Sequence, residues 1–168
     1  MMNYYLLCLR NKDPKKIFAK LIADTSGLDW NHVEILRETS SLDIPDYSFG
    51  AVSPLSRKIP LESLLEHYNI VHKIPLHIKI PEQEADIILE KLLGKPYSIL
   101  QLGIIIAKMY LTKYLSWLPF VKLNLDQALI CTELAGDFMQ DACHYTMPIS
   151  TETLGLKETM DLAVANNI

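Results

Sequence analysis

The stretch "LICTELAGDF", Leu129 to Phe138, carries a lone cysteine one turn ahead of an apolar stripe, and "WNHVEIL" carries a histidine far upstream. A thiolate that attacks a carbonyl needs an imidazole beside it to hold its proton and return it to the leaving group, and the two can lie far apart in sequence. A helix beginning at Cys131 would supply the rest, because its positive end and unpaired N–H groups favour thiolate over thiol. Leu134, Ala135, Phe138 and Met139 place Cys131 on their buried side, with Glu133, Asp137, Gln140 and Asp141 opposite. A cysteine so placed also fits the core, where free cysteines commonly sit.

His32 lies in a run where Val33 and Ile35 alternate against His32 and Glu34, the mark of a strand with two different faces. Glu34 shares the face of His32, so its carboxylate can orient the imidazole; the plainer alternative is a solvated strand residue. Other reactive side chains group less well. His67, His72 and His77 recur every five residues, a spacing that neither helix nor strand gathers on one face, so no metal site is expected. Cys143 and His144 are sequence neighbours, which rarely gives thiol–imidazole geometry, and Cys8 in an apolar strand reads as core. No cofactor is expected.

These residues must be positioned by one domain, 1–168, since 168 residues suffice for a single sizeable core. A net charge of −4 gives no broad attraction to nucleic acid or anionic lipid. Three cysteines at unrelated spacings argue against a disulfide framework or paired Cys-x-x-Cys zinc site. The N-terminal apolar run lacks a basic prelude and a small-residue cleavage site, so a cytoplasmic chain is expected. Lys108 and Lys113 interrupt the hydrophobic stretch Tyr97 to Leu123. It falls short of the about 18 uncharged residues of a spanning helix and is read as a buried helix.

Along the chain, "YYLLCL" predicts a buried strand. "DPKKIFAKLIAD" predicts a helix capped by Asp13 with Pro14 at its first position and Ile17, Phe18, Leu21 and Ile22 on a buried face. "YSFGAV" reads as a hairpin partner of the His32 strand, "PLESLLEHY" as a brief helix, and "IVHKIPLHIKI" as a strand that Pro75 pushes to an edge. "PEQEADIILEKLLGKP" is a helix begun by Pro81 and ended by Gly94 and Pro96, and Ser98 with Gln101 makes a capping-box pattern. Strands in the first half and helices in the second favour an α+β fold with a small antiparallel sheet.

The order "NHVEI", "SFGAVSPLSRKIPLESL", "LLGKPYSILQLG", "LICTELAGDFMQDA", "PISTETLGL" resembles the circularly permuted NlpC-type, papain-like cysteine hydrolases over most of the chain. Those proteins carry a Ser-His-Val-(Glu or Gly) strand first, a Gly-Lys-x-Tyr-Asp turn in the middle and a Cys-Ser-Glu-Leu helix near the end. This chain departs from them in Asn31, Ser98 and Thr132, where Ser, Asp and Ser are usual. The resemblance implies a papain-like fold with Cys131 as nucleophile and His32 as general base. It leaves the orienting group to Glu34 or, from the adjacent strand, to Asp43, Asp46 or Ser48. Oxyanion donors would be the Cys131 N–H and, as one candidate, the Tyr97 hydroxyl. The implied partner is a peptide-like or amide substrate. The rival expectations are lipid acyl chemistry, as in lecithin:retinol acyltransferase-like proteins of the same architecture, with membrane contact along Ile99 to Leu123, and a non-catalytic interaction protein that dimerises through an apolar surface.

Overall fold

The computed structural model describes residues 2–13, 15–41, 44–98, 103, 130–149, 151 and 154–167. It is an α+β fold. Strand β1 (Met2–Asn11) is followed by helix α1 (Ile17–Ser26), β2 (His32–Thr39), β3 (Tyr47–Val52), β4 (Leu55–Pro60), α2 (Leu61–His67), β5 (Tyr68–Leu76), α3 (Glu82–Lys91), α4 (Cys131–Cys143) and α5 (Leu156–Ala165). The five strands form one sheet in the order β4-β3-β2-β1-β5, and the pairings are antiparallel.

The unbroken apolar run of β1 follows from burial on both faces. Leu6 and Cys8 join Val33, Ile35, Phe49 and Ala51 beneath α3, α4 and α5, while Leu7 and Leu9 join Leu36, Leu64 and Tyr68 beneath α2. Phe138 of α4 is fully buried and its ring meets Tyr4 at 5.5 Å between centroids. β5 lies at the sheet edge, as Pro75 requires. Gly94, at φ +73, turns the chain after α3.

Three expectations change. α1 begins at Ile17 rather than at Pro14, and Asp13 instead accepts the Lys15 N–H at 2.9 Å, a turn-type bond that competes with capping. Ile17, expected on the buried face, is 79% exposed, because it stands at the start of the shortened helix. β4 was not anticipated: only Ser56 of "LSRKIP" is buried, so the strand carries no apolar alternation to read. Gln101 and nearly all of the Tyr97–Leu123 stretch lie outside the described residues. Among the described residues no helix is long and apolar enough to cross a membrane.

Because Phe138 fills the centre of the main core, Phe138→Ala is expected to destabilise the protein by about 3–5 kcal/mol. Urea unfolding checks this, and a loss under about 1 kcal/mol would mean that the α4–sheet packing is wrong.

Candidate active site

The site forms where β2 and β3 part. Their pairing runs only through Arg37↔Tyr47, Leu36↔Ser48 and Ile35↔Phe49, although β2 begins at His32 and β3 continues to Val52. Beyond Ile35 the backbone of β2 is free of its neighbour, and the start of α4 fills the place. The Cys131 sulfur accepts hydrogen bonds from the backbone N–H groups of Val33 and Thr132 and is hydrogen-bonded to the His32 side chain. By strand alternation His32 points away from the face that α4 covers. Sulfur and imidazole therefore meet around the end of β2, at its first residue.

Cys131 is the first residue of α4, where the helix's unpaired N–H groups lie. Glu133 is nearly buried, and its Oε2 accepts the Ile130 N–H at 3.4 Å, half of a capping box. Glu133 is thus covered although it lies opposite the apolar stripe: capping draws the carboxylate back over the helix start. Asp137, Gln140 and Asp141 are partly or fully exposed, and the stripe from Leu134 to Met139 is buried as expected.

His32 is held from its far side. Its Nε2 lies 3.0 Å from Glu34 Oε1, and the Ser48 hydroxyl donates to Glu34 Oε2 at 2.6 Å. With Nε2 engaged, Nδ1 is the ring nitrogen left to face the sulfur. Glu34 is fully buried, so these two contacts replace its lost hydration. Room for it comes from Gly50: a Cβ there would stand 2.4 Å from Glu34 Cδ. Tyr68 packs its ring against the imidazole at 5.4 Å between centroids. Asn31 ties the neighbouring elements together: its N–H donates to Leu9 O, its Nδ2 to Ala19 O, and its Oδ1 accepts from the Asn11 N–H.

Burial alone would raise the Cys131 thiol, but the His32 charge, the bond to its ring and the two backbone N–H groups overcome it and hold the thiol below its ordinary 9.0. For His32 burial would lower the imidazole; the Cys131 sulfur and the bonds to Cys131 and Glu34 carry it instead well above 6.5. Both directions favour a thiolate beside an imidazolium. Cys8 and Cys143, with no such partner, are pushed by burial up to about 12.

A cavity of about 270 Å³ opens beside the sulfur, walled by Ala19 and Ile22 of α1, Ala51, Val52 and Ser53, and Tyr68 and Tyr97, with Lys16 and Asn11 also on its lining. Burial raises the Tyr97 phenol, and the charges of Cys131 and Tyr68 add to this, so Tyr97 stays a hydroxyl donor. Of the sequence candidates, Cys131, His32, Glu34, Ser48 and Tyr97 thus gather around one point. Asp46 does not: its Oδ1 accepts the Thr39 N–H at 2.8 Å, in the β2–β3 turn. Asp43 lies outside the described residues. Tyr68, Lys16 and the space left by Gly50 were missed. Only Gly50 left a trace, as a glycine inside a strand. Among the described residues no group of three His, Cys, Asp or Glu side chains could hold a metal ion, and His67, His72 and His77 are all exposed.

No protein-family model matches the chain, and no curated protein matches it.

Two outcomes test this geometry. The depressed thiol implies that thiolate absorbance at Cys131 persists as pH falls below 9.0, with a midpoint that moves upward in His32→Ala. The sign for stability follows from linkage. Cys131 contributes stability above its unfolded value that is lost as pH falls through its lowered one. His32 contributes stability below 6.5 that is lost as pH rises through its raised value. A Cys131 midpoint at 9.0 or above would contradict the pairing. Second, Gly50→Ala must displace the Glu34 carboxyl and is expected to cost about 1–3 kcal/mol in urea unfolding while raising the Cys131 midpoint. Unchanged stability and titration would mean that Glu34 does not sit against Gly50.

Proposed function

We propose that the protein is a cysteine hydrolase of amide or peptide bonds, with the permuted NlpC-type papain-like fold that its sequence words resemble. The observation that carries this reading is the Cys131 sulfur at the first position of α4, hydrogen-bonded to an imidazole that a buried Glu34 holds from behind.

In this reading the Cys131 thiolate adds to the substrate carbonyl carbon, and the oxyanion takes hydrogen bonds from the Cys131 N–H and the Tyr97 hydroxyl. The tetrahedral intermediate collapses with cleavage of the C–N bond, and the amine leaves with the proton of the His32 imidazolium. Neutral His32 then takes a proton from water as the water oxygen attacks the thioester. The C–S bond breaks, the acid departs, and thiolate and imidazolium are restored. Glu34 fixes the ring and balances the imidazolium charge throughout, so it acts as a positioning residue.

The apolar cavity walls, Ala19, Ile22 and Val52, favour one second reading, acyl hydrolysis or transfer on a lipid ester as in lecithin:retinol acyltransferase-like proteins. The same thiol would serve it. Co-flotation of the protein with phosphatidylcholine vesicles, and release of their acyl chains, would favour that chemistry over the amide one.

Alkylation tests the common premise. Near neutral pH chloroacetamide is expected to label Cys131 at least about tenfold faster than Cys8 or Cys143, and His32→Ala, with folding checked by circular dichroism, is expected to slow Cys131 by a similar factor. Equal labelling of the three thiols, or indifference to His32, would overturn the enzyme reading.

A further inference from the structure

The cavity beside the sulfur offers donors and few acceptors. Lys16, Ala19 and Ile22 recur every three residues along α1 and its N-cap, and together they form the side of that segment that walls the cavity. Lys16 is exposed, so solvent reaches it, and among the described residues its ammonium has no ion pair and no hydrogen bond. Lys58, Lys73 and Lys157, by contrast, are paired with Glu90, Glu38 and Asp161. Around Lys16, Lys12, Lys15 and Lys20 stand against one acid, Asp13, in a chain of net charge −4. Asn11 shares the lining; its Oδ1 accepts the Asp13 N–H at 2.8 Å, which leaves the Nδ2 donor without a described partner. Asn31 spends both ends of its amide within the fold, and His32 is committed to Glu34 and Cys131. Tyr68 and Tyr97 add phenol hydroxyls, and no Asp or Glu lies on the described lining. Negative charge on the sulfur is matched by His32, so Lys16 is left unbalanced.

We infer that Lys16 is a specificity-determining residue whose ammonium binds a carboxylate of the substrate while the amide to be cleaved lies at Cys131. A cation without a fixed counter-charge at the wall of a cavity draws in an anion, and the Asn11 amide can share the same carboxylate. One lining ammonium balances one negative charge, which suits a carboxylate. The substrate class is therefore a small amide that bears a free carboxylate, within a space of about 270 Å³. This deepens the proposed hydrolase reading and rests on Cys131 being its nucleophile.

Matched alkylating probes test it on the intact protein: N-chloroacetylglycine, N-chloroacetyl-β-alanine and N-chloroacetyl-γ-aminobutyrate, each beside its own primary amide. The three acids differ in reach, and chloroacetamide labelling runs alongside. Near neutral pH and at low salt, the acid of best reach is expected to alkylate Cys131 at least about fivefold faster than its amide, the scale of one ion pair. That ratio is expected to fall about fivefold in Lys16→Gln and to be kept in Lys16→Arg. Each ratio is internal to one protein, so a change in folding or in thiol reactivity cancels. If chloroacetamide labels Cys131 rapidly but the ratio is the same in native and Lys16→Gln protein, the Lys16 assignment is wrong and the nucleophile stands. If chloroacetamide fails to prefer Cys131 over Cys8 and Cys143, the hydrolase reading falls and this inference falls with it.

Discussion

Glu34 is a carboxylate with no access to water, and such a group is tolerated in a fold only when donors surround it. The donors here are the His32 ring and the Ser48 hydroxyl, and the space is granted by a missing Cβ at Gly50. From this socket the rest of the site can be ordered. The carboxylate sets the imidazole orientation, the oriented imidazole meets the sulfur, and the sulfur is placed by the first turn of α4. Removing any of these leaves a buried polar group without its partner, which is why the arrangement is stable only as a unit.

The parting of β2 and β3 is the second constraint. A sheet that stayed paired to the end of both strands would spend the Val33 N–H on β3 and leave no room for a side chain arriving from the helical layer. Because the ladder stops at Ile35↔Phe49, Cys131 reaches the Val33 N–H from one face while His32 approaches from the other. α1, tied to the same strand through Asn31, walls the resulting cavity. One local interruption in hydrogen bonding thus provides the thiolate's donor, its contact with the base and the space beside it.

Much of this was legible in the residues. The alternation of "HVEI" put Glu34 on the face of His32, and the apolar stripe of α4 placed Cys131 at its buried start, because both periodicities are properties of single elements. The edge position of β5 was written in Pro75. What could not be read is what depends on two elements at once. Sequence spacing does not show where a ladder ends, so the gap was invisible. Gly50 appeared only as a member of a strand and Ser48 only as one of several candidates to orient His32, since their places against Glu34 are set by the register. Polar β4 left no pattern at all, and the burial of Glu133 was not readable from its place opposite the apolar stripe, because helical-face arithmetic ignores capping. Asn31, a departure from the resembling family's serine, serves as a clamp among three segments.

The site turns on a charge state, thiolate beside imidazolium, and nitrogen-detected NMR of His32 reads it directly. Both ring nitrogens are predicted to be protonated near neutral pH in the native protein, and Cys131→Ala is predicted to lower the pH at which the second proton leaves. A His32 ring that is already neutral at that pH, or that titrates identically with and without the Cys131 sulfur, would contradict it.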